Sequence, residues 1–161
     1  ARDMRVYRNY GSEKRYYNKV VGTNSRLDEI QAGLLRVRLS HIEELTKEKQ
    51  AIGKRYLEEL HNDKITLPKL TEGATHVYHQ FVIRCRERDR LIDYLNEKEI
   101  GTIIHYPIPP HLAEAYTYLG YHEGDFPITE TLAKEVLSIP MYNGMTKEEQ
   151  DYVIDAINAF E

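Results

Sequence analysis

The chain of 161 residues has no tryptophan, three phenylalanines and a single cysteine. One cysteine, Cys85, excludes an internal disulfide framework and suits a reducing compartment, the cytoplasm. No apolar run approaches the roughly 20 residues that cross a bilayer, so a membrane span is not expected. The opening residues Ala1-Arg2-Asp3-Met4 are polar, and no secretory signal is expected among them. There is no excess of positive charge: 22 Lys and Arg against 26 Asp and Glu leave -4. That balance gives no global attraction to nucleic acid or to an anionic membrane. Repeats, low-complexity tracts and Pro- or Gly-rich linkers are also lacking.

What is present is ordinary in bulk and unusual in detail. An apolar fraction of 41% at this length supports one domain with a real core. The aromatic content is almost all tyrosine, 13 residues. These amphipathic rings suit interfaces and polar pockets. Met4 to Gly11 reads as the tail of a helix stopped by Gly11, and we expect the numbering to open inside a longer protein.

Apolar spacing predicts a long helix from about Ser25 to His61, with a break near Ser40 or Lys47. Ser25 and Asp28 form a candidate capping box at its start. Leu27, Ile30, Leu34 and Val37 make one stripe, and Leu35, Leu39, Ile42 and Leu45 an adjoining one. Two apolar stripes predict a helix sandwiched between layers, one of them another subunit. Ile65 to Pro68 reads as an edge strand and Thr75 to Cys85 as the clearest strand. Arg88 to Lys98 suits an amphipathic helix. A strand is expected at Gly101–Tyr106, helices at His111–Leu119 and Ile128–Leu137, and a short strand at Ser138–Met141. Thr146 to Phe160 reads as a terminal helix, with Thr146 and Glu149 as its capping box. The expected class is α+β: a long helix leading into a small antiparallel sheet flanked by helices.

The stretch Gly22-Thr23-Asn24-Ser25-Arg26-Leu27-Asp28-Glu29-Ile30-Gln31-Ala32 concentrates chemistry at a loop-to-helix junction. Unpaired N–H groups at a helix start favour an anion. Arg8-Asn9-Tyr10-Gly11-Ser12-Glu13-Lys14-Arg15-Tyr16-Tyr17, just before it, is basic, aromatic and punctuated by glycine. Together they suggest a pocket for a phosphorylated or diphosphorylated ligand. Four histidines, His76, His79, His105 and His111, raise the question of zinc. A strand would point His76 and His79 to opposite faces, and no Cys or carboxylate stands at a suitable spacing, so no metal site is expected. Arg84 and Arg86 flank Cys85 and would lower its pKa, but no histidine partner is placed for thiol chemistry.

Four motifs in order give the chain a family resemblance: Arg8-Asn9-Tyr10-Gly11-Ser12, the Gly22 to Ala32 stretch, His105-Tyr106-Pro107-Ile108-Pro109-Pro110-His111, and Phe126-Pro127-Ile128 with Leu137-Ser138-Ile139-Pro140-Met141-Tyr142. With them it resembles the C-terminal part of the DegT/DnrJ-type nucleotide-sugar aminotransferases, fold type I enzymes that use pyridoxal 5'-phosphate. The tyrosine-rich basic segment and His105-Tyr106-Pro107 resemble most the subgroup acting on dTDP-linked 3-keto-6-deoxyhexoses. The resemblance implies a homodimer, an amino-acid donor, glutamate, and a role in surface polysaccharide or lipopolysaccharide synthesis. It implies that residues 1–24 end the large domain and its active-site loop, and that 25–161 form the linking helix and small C-terminal domain.

One departure from the family pattern bears on activity. The family's cofactor-anchoring lysine lies upstream of the Arg8-Asn9-Tyr10-Gly11 motif, and Lys14, Lys19 and Lys47 do not stand in its context. The chain is therefore expected to be a fragment that does not catalyse transamination alone, so whether it is itself an enzyme stays open. A non-catalytic dimerisation or binding module, and a fragment of a dehydratase relative with histidine in place of that lysine, are the other two readings.

The resemblance assigns roles residue by residue. Asn24 reaches the cofactor phosphate of the neighbouring subunit, a role compatible with its alternative as a helix N-cap. Lys14 and Arg15 meet the nucleotide diphosphate, or are a solvated basic pair. Tyr16 and Tyr17 line the nucleotide side, or pack at a subunit interface. Arg26 fixes the loop by pairing with Asp28 or Glu29, or faces the substrate. Gln31 anchors the loop. His105, at the end of a strand before a proline-rich turn, meets the sugar or the donor carboxylate and can hydrogen-bond a hydroxyl or move a proton. Its plainer alternative is a histidine bonded to backbone. Tyr106 and His111 are weaker candidates, and the plainer alternative for His111 is that it opens the next helix.

Overall fold

The computed structural model describes residues 1–14 and 16–161; Arg15, named above with Lys14, lies outside the described residues. The chain divides into two compact units, Ala1–Glu43 and Glu44–Glu161.

The first unit opens with helix α1 (Arg2–Tyr7), followed by an antiparallel pair, β1 (Ser12–Lys14) and β2 (Tyr17–Asn18). Backbone hydrogen bonds then lay residues 23–25 along residues 7–10. Thr23 N–H donates to the Tyr7 carbonyl at 2.9 Å, Tyr10 N–H to Thr23 at 3.0 Å, and Ser25 N–H to Arg8 at 2.9 Å. Gly22 makes this close approach feasible. A Cβ there would sit 2.1 Å from the Gly11 nitrogen and 2.5 Å from the Tyr7 carbonyl oxygen, which no side chain can tolerate.

Helix α2 spans Glu29–Ser40 and α3 spans Ile42–Glu59, with His41 between them. The break near Ser40 is thus observed. The capping box at Ser25 is not: the N-cap is Asp28, and its side chain makes no cap hydrogen bond. None of the residues of α2 is buried within this chain. Ile30, Leu34, Leu35, Val37 and Leu39 are all exposed.

The second unit is built on a three-stranded antiparallel sheet in the order β3 (Ile65–Thr66), β4 (Phe81–Cys85), β5 (Val136–Ile139). Phe81 faces Ile139 and Ile83 faces Leu137 across β4 and β5, and Ile65 faces Cys85 across β3 and β4. Period-two alternation puts Phe81, Ile83, Cys85, Leu137 and Ile139 on one buried face. Against it pack Ile52 and Tyr56 of α3, Leu91 and Leu95 of α4 (Arg88–Glu97), and Val153, Ile154 and Ile157 of α6 (Lys147–Asn158). Each fully buried aliphatic or aromatic side chain contributes about 1.5–3 kcal/mol.

Polar ties fix the layers. The Tyr56 hydroxyl donates to the Pro140 carbonyl at 2.9 Å, and burial pushes its pKa up. Gly53 lets the Tyr78 ring lie on α3, where a Cβ would meet that ring at 2.6 Å. Helix α6 begins with the expected capping box: Thr146 Oγ1 accepts from Glu149 N–H at 3.2 Å, and Glu149 accepts from Thr146 N–H at 2.8 Å.

Three elements differ from the sequence reading. The strand expected from Thr75 starts at Phe81, because Tyr78 takes a positive φ of 47°. Its ring turns in toward the core and stacks on Phe81 at 5.7 Å. Gly101–Tyr106 forms no full strand. It touches β5 at one rung, where Ile103 bridges Ser138. The helix expected at His111–Leu119 is two 3-10 turns, Pro110–Leu112 and Glu114–Leu119, separated by the extended Ala113. Helix α5 (Pro127–Glu135) runs directly into β5. Among the described residues no helix is long and apolar enough to cross a membrane.

Candidate active-site surfaces

In the first unit the junction residues cluster around Asn24. The Asn24 Oδ1 accepts from Arg26 Nε at 3.1 Å, and the Arg26 guanidinium lies 5.5 Å from the Tyr10 ring centroid. Arg26 therefore braces Asn24 and stacks on tyrosine, in place of the pairing with Asp28 or Glu29. The Asn24 side chain is exposed, and its carboxamide nitrogen is a two-proton donor. Lys14 Nζ sits 5.0 Å from the Tyr17 ring centroid, a cation held on an aromatic face. Tyr16 is exposed, with a φ of 71°. Gln31 lies exposed on the first turn of α2. The β1–β2 pair is tied by Ser12 Oγ donating to Asn18 Oδ1 at 2.6 Å. Glu13 joins Arg2 and Lys19; hydrogen bonds from Lys19 and then Arg2 hold its carboxyl below the usual range.

In the second unit His105 stands at a recess of about 340 Å³ lined by His79, Gln80, Gly101, Ile103, Ser138, Ile139, Pro140 and Met141. Its Nδ1 lies 2.9 Å from Ser138 Oγ, so its partner is a side chain and not backbone. Tyr106, joined to it by a cis peptide, is exposed and sets its ring edge-on at 5.5 Å. Ser138 was not among the sequence candidates. Its one signal was a hydroxyl inside the apolar run Leu137-Ser138-Ile139, where a buried polar group must find a partner.

A second residue that sequence reasoning missed is Glu130, buried on α5. It accepts from Gly124 N–H at 2.9 Å, Phe126 N–H at 3.2 Å and His111 Nε2 at 3.0 Å. Burial pushes its carboxyl up, yet the hydrogen bonds from Gly124, His111 and Phe126 outweigh that and hold it below the usual carboxylate range. His111 thus braces the 3-10 turns and does not open an α-helix. Its signal was an acidic residue in the first turn after Phe126-Pro127, beside a glycine turn.

The remaining candidates resolve differently. His76 and His79 precede β4 and do not lie on a strand. The His76 Nδ1 accepts from Tyr78 N–H at 2.8 Å. Among the described residues no group of three or more His, Cys, Asp or Glu is arranged to hold a metal. Cys85 is buried, and burial pushes its thiol pKa up. This corrects the expectation that Arg84 and Arg86 lower it. Arg84 is instead committed to Glu135 at 2.6 Å. The charged recess beside it, lined by Asp63, Lys64, Arg84, Arg86 and Glu87 among others, is spanned by that pair and by Lys64–Glu87 at 2.9 Å.

A model of the DegT/DnrJ/EryC1/StrS aminotransferase family matches residues 1–158, and the chain belongs to that family. It is 42% identical over 160 residues to a dTDP-3-amino-3,6-dideoxy-alpha-D-galactopyranose transaminase of Aneurinibacillus thermoaerophilus, covering 99% of this chain and 44% of that protein. Among solved structures it is similar to DesV of S. venezuelae in complex with a ketimine intermediate. That likeness has a TM-score of 0.91 and 38% identity, covering 98% of this chain and 43% of the other. It is also similar to ntda from Bacillus subtilis with bound cofactor PMP, at a TM-score of 0.82 and 26% identity, with 94% and 37% covered. The chain spans less than half the length of these proteins. The expected family and the expected α+β architecture are both found.

Proposed function

We propose that residues 1–161 are the C-terminal part of a pyridoxal-phosphate aminotransferase that moves an amino group from an amino acid, glutamate, to a keto sugar on a nucleotide carrier. The substrate is a dTDP-linked 3-keto-6-deoxyhexose. The protein works as a cytoplasmic homodimer, and its product enters surface polysaccharide or lipopolysaccharide synthesis. Residues 1–24 close the large-domain active-site segment, and 25–161 form the linking helix and small domain. Family membership and the dTDP-sugar transaminase of Aneurinibacillus thermoaerophilus support the reading. The observation that carries it is the geometry at Asn24: an exposed carboxamide whose oxygen is engaged by Arg26, beside a close backbone approach that only glycine at position 22 permits.

That donor set fits a phosphate. The Asn24 Nδ2 donates to phosphate oxygens without adding charge, as required next to groups that are already ionised. Arg26 holds the carboxamide in one rotamer, and Gln31 steadies the turn behind it. Bound pyridoxal phosphate supplies the electron sink and amino carrier of transamination. Lys14, steadied on Tyr17, neutralises the nucleotide diphosphate, and Tyr16 flanks the nucleotide. His105 hydrogen-bonds a sugar hydroxyl or carries a proton beside it, with Tyr106 as the adjoining wall.

No lysine of this chain stands in the anchoring context, so catalysis is proposed to need a lysine from outside these residues. Residues 1–161 alone are expected to bind pyridoxal phosphate weakly, with no adduct fixed by borohydride. A fixed adduct in the intact mass would contradict this. In the full-length protein, Asn24→Ala is expected to weaken cofactor binding at least tenfold, read by equilibrium dialysis. Lys14→Ala is expected to raise KM for the dTDP-sugar with little change in kcat. Unchanged cofactor affinity and unchanged KM would overturn these assignments.

A further inference from the structure

The His105 ring is half-buried and lines the recess together with Ser138. Ser138 holds the segment before His105 in two ways. Its N–H donates to the Ile103 carbonyl at 2.8 Å, and its carbonyl accepts from Ile103 N–H at 3.1 Å. Its hydroxyl then reaches the His105 Nδ1 at 2.9 Å. Both backbone groups of a strand residue point to the same side. Those of Ser138 point away from β4, toward the edge that Ile103 covers. Ser138 is itself buried, 7% exposed, on a strand whose neighbours Leu137 and Ile139 serve the core.

We propose that Ser138 is the positioning residue for His105: it anchors the His105 segment at one sheet rung and presents the imidazole Nε2 to the recess bounded by Gln80 and Met141. This rests on the reading of His105 as a sugar-side group. A hydroxyl suits the task better than a carboxylate would. It donates to Nδ1 when the proton is on Nε2, and accepts from Nδ1–H when the proton is there. The ring therefore offers either a donor or an acceptor at Nε2 without rotating. A carboxylate accepts only, and would hold the proton on Nδ1. Ser138 never touches the substrate in this scheme. It acts through the imidazole.

The test is a double-mutant cycle in the full-length holoenzyme, with kcat, KM and the pH dependence of kcat measured for each variant. Ser138→Ala is expected to lower kcat about tenfold or more while KM for the nucleotide-sugar and cofactor content stay near wild type. The pH dependence of kcat should change shape, and Ser138→Thr, which keeps the hydroxyl, should recover most of the loss. In a His105→Ala background, adding Ser138→Ala should cost nothing further. Additive losses, or a Ser138→Thr variant as poor as Ser138→Ala, would overturn the positioning role and leave His105 as a site residue. Wild-type turnover by His105→Ala would overturn the sugar-side reading itself, and the inference with it. Failure of Ser138→Ala to fold, with Ser138→Thr folded and fully active, would assign Ser138 to architecture and overturn the proposal.

Discussion

The His111 Nε2–H donates to the Glu130 carboxylate at 3.0 Å in a site where both side chains are nearly closed to solvent. The same carboxylate gathers the Gly124 and Phe126 amides. One acid thus pins the 3-10 turns, the Gly124 turn and the start of α5 together. The His105-Tyr106-Pro107 run leads into this knot, so its rigidity bears on the recess.

This arrangement predicts an acid-sensitive contribution to stability. The folded pKa of Glu130 lies below its ordinary value of 4.5. The native state therefore binds fewer protons than the unfolded chain, and stability rises with pH across that interval. The contribution is fully present above the ordinary value and is lost as pH falls through the folded one. Melting temperature measured against pH should drop there, and Glu130→Gln should be less stable at neutral pH with a shallower acid limb. An unchanged acid limb would contradict the assignment.

The core makes a prediction of a different kind. Leu137 is fully buried between Ile83 and the helices. Leu137→Ala is expected to cost about 2–5 kcal/mol, and Leu137→Met less than about 1.5 kcal/mol. Denaturant midpoints at constant slope measure both.

Gly22 links fold to function in the first unit. A methyl group there collides with Gly11 and Tyr7 backbone, so Gly22→Ala must push residues 23–25 off residues 7–10. Cofactor affinity of the full-length protein should fall along with the Asn24 geometry, while the melting of the second unit stays unchanged. Wild-type affinity in Gly22→Ala would show that Asn24 presentation does not depend on this turn.

The apolar stripes of α2 predict association. Ile30 is 80% exposed and Leu34 66%, a run of side chains that solvent disfavours. The 161-residue chain should sediment as a dimer or larger species, and Ile30→Glu with Leu34→Glu should shift it to monomer. A monomer at all concentrations would count against the subunit-contact role of this helix.

These particulars mark what the sequence could and could not disclose. The Phe81–Cys85 half of the strand expected from Thr75, helix α4 and the Thr146–Glu149 box were legible because local patterns there agree with packing. The Ser25 box was not formed, because Ser25 gives its N–H to Arg8 and lies along residues 7–10, delaying the helix to Glu29. Such a contact between distant segments leaves no local trace. His105 was expected to end a strand before the prolines, but the segment touches β5 only at Ile103, and its partner Ser138 stands 33 residues away. Glu130 carried only a weak local signal, because its donors converge from the Gly124 turn, the N-cap of α5 and a 3-10 segment 19 residues away. Arg26 was expected to pair with Asp28 or Glu29, and its guanidinium instead donates to Asn24 Oδ1.

The central claim is that Asn24 serves a cofactor anchored by another subunit's lysine. Mixing two full-length variants tests it most directly: one with its anchoring lysine replaced, the other Asn24→Ala. Each alone should show little transamination of the dTDP-linked 3-keto sugar with glutamate. Unfolded together and refolded, they should regain activity, because one site of each mixed dimer then holds both an intact lysine and an intact Asn24. No recovery on mixing, with mixed dimers demonstrated by mass, would contradict the account.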